Sequence, residues 1–282
     1  MTKQSKTILI TGATAGIGRH AALYLAKKGH RVFATGRRAE ALASLEQQAR
    51  GFSLQTLELD VTDAASIAAA VDAVAQVTEG RGVDVLVNNA GYGQIGPLES
   101  VSTEQLRAQF ETNVFGLMAV TRAFLPAMRQ RRQGRVINIS SVAGRMSMPF
   151  MGAYTATKFA VEAMSDALRA ELAPFGVQVV LIEPGVIRSE FSQRAEATLA
   201  ASADIDDYTP FVARLDDVKK RMEKTAVGPQ CISSAIERAI VARRPRARYI
   251  APKRASALLA INWLPTRGRD WLMRSVAGLR AI

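Results

Sequence analysis

Cysteine, histidine and tryptophan are almost missing from this chain of 282 residues, which holds one, two and two of them. A single cysteine, Cys231, excludes an internal disulfide and a cysteine-rich metal site. His20 and His30 are too few and too poorly placed for a zinc centre, so no bound metal is expected. No apolar run approaches the ~20 residues needed to span a bilayer. The start, Met1-Thr2-Lys3-Gln4-Ser5-Lys6, carries no apolar stretch behind its charges, so a secretory signal is not expected and a reducing, cytoplasmic setting is. Acids are scarce at the other end. The whole chain has 37 Lys and Arg against 25 Asp and Glu, a net charge of +12. Ten of those bases and one acid, Asp270, fall between positions 243 and 282, leaving the rest of the chain nearly balanced. That asymmetry argues against a nucleic-acid-binding fold, and no nucleic acid is expected as a partner. It leaves a local anionic partner for the tail open.

What is present is a regular alternation of short apolar runs and longer stretches of helical character. Strands are expected at 7–11 (TILIT), 31–35 (RVFAT), 54–59, 83–87 (VDVLV), 135–139 and 177–182, with a short one near Tyr249. Helices are expected at 17–28, 39–50, 64–77, 103–132, 152–174 and 231–243. Strands alternating with helices of this length imply an α/β, Rossmann-type doubly wound parallel sheet of about seven strands, with helices on both faces. Ligands of such a sheet sit at the carboxyl ends of its strands. Residues 1–252 read as one domain, 189–229 as a helical lid over it and 253–282 as a basic tail. Apolar positions of that lid are Phe191, Leu199, Ile205, Tyr208, Phe211, Leu215, Val218 and Met222.

Three motifs carry chemistry. The first strand runs into Thr11-Gly12-Ala13-Thr14-Ala15-Gly16-Ile17-Gly18 and then a helix. Glycines at such a junction let the backbone approach a pyrophosphate, and the helix N-terminus offers free N–H groups; a Gly-rich turn without a ligand is the plainer alternative. The second strand ends in Thr35-Gly36-Arg37-Arg38, without the acid that would bond ribose hydroxyls. Two guanidiniums there suit a 2′-phosphate and so NADP(H) over NAD(H), although solvated arginines would look the same. Last, Tyr154 and Lys158 are four residues apart, which on a helix stacks them on one face. A phenol titrates near ~10, and a fixed ammonium beside it is expected to lower that value into the range of a general acid/base. A surface helix with a solvated lysine has the same spacing.

The set resembles the short-chain dehydrogenase/reductase family. The resemblance is carried by the Thr11–Gly18 turn, Asn88-Asn89-Ala90-Gly91, Asn113, Ser140-Ser141, Tyr154 with Lys158, and Pro184-Gly185, all in the family's order. It is nearest to the NADP(H)-preferring branch with 17-beta-hydroxysteroid and retinol-type dehydrogenases. The resemblance implies that Ser141 bonds the substrate oxygen, that Tyr154 passes the proton and that Lys158 holds the nicotinamide ribose. Asn113 would position Lys158 through a water, or kink its helix. Asp60 and Val61 would meet the adenine, unless Asp60 merely caps the next helix. Asn89, Ala90 and Gly91 would line the adenine ribose side, and Pro184, Gly185 and Ile187 the nicotinamide amide. Asn88 and Ser140 would be structural. Ala15 stands where many members have serine, which passes more of the 2′-phosphate preference to Thr14 and Arg37. A homo-oligomer is the family's usual state.

Met146, Met148, Phe150 and Met151 lie between Ser141 and Tyr154, and Ile95 follows the fourth strand. They suit an adaptable apolar pocket, with Met148 as the substrate contact, or ordinary core packing. In the tail, Leu258, Leu259, Ile261, Trp263, Leu264, Trp271 and Leu272 are interleaved with Lys253, Arg254, Arg267, Arg269 and Arg274. A peripheral membrane contact, a dimer contact and a solvated face all fit that pattern. The expected function is an oxidoreductase acting on a bulky apolar alcohol or carbonyl; a non-catalytic dinucleotide-binding or lipid-surface-binding protein of the same fold is the alternative.

Overall fold

Apolar runs of four to eight residues become seven strands that pair only in parallel, in the order β3-β2-β1-β4-β5-β6-β7. The computed structural model describes residues 5–191, 198, 206–212, 220 and 223–279. The strands are β1 (Thr7–Ile10), β2 (Arg31–Gly36), β3 (Leu54–Glu58), β4 (Val85–Asn88), β5 (Gly134–Ile139), β6 (Val177–Pro184) and β7 (Arg248–Ala251). Between them run α1 (Gly16–Lys27), α2 (Ala39–Gln48), α3 (Ala64–Val77), α4 (Thr103–Phe110), α5 (Leu117–Gln130), α6 (Gly152–Leu172) and α7 (Gln230–Val241). Strand order reverses between β1 and β4, and that switch point opens a crevice at the carboxyl ends.

Alternation along each strand splits the interior into two cores. Ile8 and Ile10 of β1 face the layer of α1, α2 and α7, packing with Leu25, Leu45 and Ile236. Leu9 faces the opposite layer with Phe33, Leu86, Phe124 and Met128. Both faces are covered, so central strands read as continuous apolar runs.

The single helix expected over 103–132 is broken. α4 and α5 are joined by a π-helical turn, Glu111–Gly116, with Asn113 buried in it. The Asn113 carboxamide accepts from the Tyr92 N–H at 3.1 Å and donates to the Tyr92 carbonyl at 2.9 Å. Backbone groups of the strand-4 loop therefore bind the side chain that sits in the inserted turn.

After β7 the chain forms a 3-10 segment, Lys253–Trp263, and helix α8 (Thr266–Val276). Ala255, Ile261 and Ala277 are buried against the body, whereas Leu258, Trp263, Leu264 and Trp271 are exposed. No helix among the described residues is long and apolar enough to cross a membrane. Of the expected lid positions, Leu199, Ile205, Leu215, Val218 and Met222 lie outside the described residues. Phe191, Tyr208 and Phe211 are described.

Candidate active site

The crevice begins at the turn after β1. Thr11 accepts at Oγ1 from the N–H groups of Asn89 and Ala90, at 2.9 and 3.0 Å. Asn89 answers by donating its amide to the carbonyls of Thr11 and Gly12, at 2.9 and 3.0 Å. The side chain expected at the adenine ribose thus also clamps β1 to β4. Gly12 has φ of +64°, and a Cβ there would come within 2.8 Å of the Ala90 backbone. A Cβ on Gly18 would strike the Asn89 amide and the Gly12 carbonyl. Gly16 and Ile17 open α1, whose N-cap Ala15 offers no side-chain hydrogen bond and whose first turn has no acid. Backbone N–H groups at that end remain available to an anion, which is the donor set a pyrophosphate needs.

At the end of β2, Thr14 packs on Gly36, so close that a Cβ on that glycine would touch its methyl group. Arg37 is 71% exposed, and its Nη1 lies 3.5 Å from Asp60 Oδ2. Asp60 spends its other oxygen on the N–H and hydroxyl of Thr62, at 2.9 and 2.7 Å. The cap of α3 is Asp63, not Asp60. Burial raises the Asp60 carboxyl, but hydrogen bonds from Thr62 and the nearby Arg37 outweigh it and hold the group below its ordinary value. Val61 is buried beside it.

The opposite end of the crevice gathers the expected reacting groups. Ser141 follows β5; its Oγ accepts from the Ala143 N–H at 3.1 Å and donates to the Pro184 carbonyl at 3.5 Å, close enough to the Tyr154 phenol to favour its ionised form. Ser140 makes no such contact: its backbone N–H donates to Ile182, and its hydroxyl has no hydrogen-bond partner among the described residues. Tyr154 and Lys158 lie on the buried face of α6. Lys158 Nζ donates to the Ile139 carbonyl at 2.8 Å and sits 5.7 Å from the Tyr154 ring centroid. Asn113 reaches α6 through Thr157, donating to its Oγ1 at 3.1 Å. Thr157, beside Lys158 in sequence, in turn donates to the Tyr154 carbonyl at 2.7 Å. A threonine inside a helix carries no sequence signal of such a contact.

The electrostatics correct one expectation. Burial pushes the Tyr154 phenol up to about 12, against the opposite pull of the nearby Ser141 hydroxyl. Burial likewise draws the Lys158 ammonium down to about 8, and Glu162 works against that fall. Desolvation therefore outweighs the phenolate-stabilising field inferred from spacing alone.

An apolar wall closes the site. Phe191 tilts over Tyr154 with ring centroids 5.4 Å apart, and it touches Gly93. Phe150 meets Tyr208 edge-on at 6.5 Å, and Met148 is half-buried in the same segment. Gly185 donates its N–H to Ala251 at 2.9 Å, and Ile187 bridges to Val227. Pro184 is buried, and Gly91 faces Asn113. Among the described residues, no three His, Cys, Asp or Glu side chains are grouped to hold a metal ion.

Known proteins resemble this chain along nearly its whole length. The family model for short chain dehydrogenases matches residues 6–200. The chain is 37% identical to an NADPH-dependent 3-dehydrocapnine reductase of Ornithobacterium rhinotracheale, over 93% of this chain and 94% of that one. It is also 37% identical to human 17-beta-hydroxysteroid dehydrogenase type 1, over 94% of this chain and 83% of that one. A short-chain dehydrogenase structure from Streptomyces avermitilis superposes with a TM-score of 0.80 at 33% identity, covering 98% of each chain.

Proposed function

The chain belongs to the short-chain dehydrogenase family, and from that premise we propose that it moves a hydride between NADP(H) and a bulky apolar alcohol or carbonyl, such as a steroid, retinoid or other lipid. The observation that carries this reading is Lys158, fixed on the Ile139 carbonyl at 2.8 Å and 5.7 Å from the Tyr154 ring centroid on the same buried helix face, with Ser141 buried beside them. Relatives named for NADPH and for a hydroxysteroid support the cofactor and the substrate class.

Gly12, Thr14, Gly16, Ile17 and Gly18 would hold the pyrophosphate, and Arg37 the 2′-phosphate. Asp60 and Val61 would meet the adenine, and Asn89, Ala90 and Gly91 the adjoining ribose. Tyr154 and Lys158 would hold the nicotinamide ribose; Pro184, Gly185 and Ile187 would hold the amide. When bound, the nicotinamide supplies the hydride. Ser141 donates to the substrate oxygen and fixes it near the phenol. Tyr154, kept protonated at neutral pH by burial, gives its proton to that oxygen in reduction and takes one back in oxidation. Lys158 contributes positive charge where the phenolate forms. Phe191, Phe150 and Met148 exclude water from the oxygen and offer apolar contact.

The tail has a reading of its own as a peripheral contact with anionic lipid. Trp263 is 89% exposed, and its neighbour Asn262 donates to the Arg145 carbonyl at 2.8 Å, strapping the segment to the loop that leaves Ser141. Cosedimentation with anionic vesicles should weaken in Trp263→Ser and in Arg267→Glu; unchanged binding of both would remove this reading.

Reduction of steroid ketones, retinal and long-chain aldehydes, with NADPH and NADH side by side, tests the substrate class and the cofactor together. Turnover confined to small polar sugars would refute the apolar pocket. Tyr154→Phe should abolish turnover while NADPH still binds.

A further inference from the structure

The chain leaving β7 meets the crevice at three points. The Ala251 carbonyl, at the end of β7, accepts from the Gly185 N–H at 2.9 Å. Ala255 is buried against the same glycine, so close that a Cβ added there would lie 2.6 Å from its methyl group. Arg254 donates to the Thr225 carbonyl, two residues before Val227, which bridges to Ile187. Asn262 donates to the Arg145 carbonyl at 2.8 Å. Arg145 in turn donates its N–H to Val142, in the turn that Ser141 caps. The tail thus holds the segments that carry Ser141, Gly185 and Ile187.

Its other side faces water. Trp263 is 89% exposed, and Leu258, Leu264 and Trp271 are exposed with it. On α8, Arg267, Trp271 and Arg274 are spaced by four and then three residues, which stands an aromatic ring between two guanidiniums on one face. Asp270 is the one acid after position 243. Indole rings among bases complement the headgroup layer of an anionic membrane. Between positions 253 and 279, only Ala255, Ile261 and Ala277 are buried. A segment with so few buried contacts opens at low free-energy cost.

We propose that the docked tail couples two ligands, an anionic phospholipid membrane on its outer face and the dinucleotide in the crevice, so that each strengthens binding of the other. The dinucleotide favours the docked state because that state holds Gly185 in place. The membrane favours it because docking fixes Trp263 and the α8 face on one surface before they meet lipid. The coupling rests on the cofactor placement and the tail contact given above.

Cosedimentation of the whole chain with vesicles of phosphatidylglycerol in phosphatidylcholine, with and without saturating NADP+, tests this. NADP+ should lower the vesicle Kd by about fivefold, the low end of typical couplings between sites. The same vesicles should lower the NADP+ Kd, read by equilibrium dialysis, by the same factor, and vesicles of phosphatidylcholine alone should not. Asn262→Ala, at an exposed position, should still sediment with the mixed vesicles while the factor falls toward one. A vesicle Kd that NADP+ leaves unchanged, or a factor that survives Asn262→Ala intact, overturns the proposal. Failure of the underlying readings is distinguishable. No sedimentation in either state removes the tail contact and the coupling with it, and no NADP+ binding in dialysis removes the cofactor placement likewise. Binding of both ligands without a shared factor removes the coupling alone.

Discussion

Lys158 donates its ε-ammonium to the carbonyl of Ile139 at 2.8 Å, tying the middle of α6 to the last residue of β5. One carbonyl does not replace the hydration of a buried cation, and the ammonium falls to about 8 as a result. The unfolded chain holds this proton up to about 10.5, so below pH 8 both states are charged and the folded one bears the cost. As pH rises from 8 toward 10.5, the unfolded state binds the extra proton and this penalty is relieved. Lys158→Met should therefore gain on the unaltered protein at pH 7 by roughly 3 kcal/mol more than at pH 10.5. Urea unfolding of both proteins at the two pH values measures this, and a stability difference independent of pH would contradict it.

Arg37 and Asp60 form an exposed pair worth little in itself. A phosphate placed there would draw the guanidinium away from the carboxylate. Arg37→Ala should lower the preference for NADPH over NADH by about tenfold to a hundredfold, the scale of a charge-assisted hydrogen bond. Kd values for both dinucleotides decide it; equal weakening of both would show that Arg37 does not read the phosphate.

Asn113→Ala removes three hydrogen bonds, but their loss is unequal. The Tyr92 carbonyl keeps its bond from Gln109 Nε2 at 2.7 Å, whereas the Tyr92 N–H loses its acceptor. The expected cost is about 2 kcal/mol, that of one buried unsatisfied donor plus a cavity. Turnover should drop as well, because the link from the strand-4 loop through Thr157 to α6 is cut. Thermal unfolding with a kcat measurement checks both halves.

Phe191→Ala leaves Tyr154 in place and removes the ring tilted over it. KM for bulky apolar carbonyls should rise by about tenfold, the loss of one buried aromatic contact, with kcat changing less. An unchanged KM would place the substrate elsewhere.

Much of this was legible in the chain because the signals are local. A buried parallel strand is a short apolar run, and TILIT and VDVLV declare themselves. The Thr11–Gly18 turn carries its glycines where backbone meets backbone, so its place was readable too. What was not legible depends on contacts across the fold. The π turn at Asn113 arises from the Tyr92 backbone, 21 residues away. Glu162, Glu183 and Arg248 look like surface charges in sequence and meet only once β6, β7 and α6 are packed. The field at Tyr154 is not legible for the same reason: spacing reveals a neighbouring cation but not the depth at which both groups are buried.

The six residues of the π turn have one further effect. An inserted residue swings everything after it by about 100° around the helix axis. Upstream, α4 buries Gln109, whose carboxamide serves the loop at Tyr92 and Gln94. Downstream, α5 turns Leu117, Val120, Thr121, Phe124, Leu125 and Met128 inward. One rod thus serves two masters, a polar hinge for the crevice and a greasy keel for the sheet. Straightening it by a one-residue deletion would roll that keel toward water.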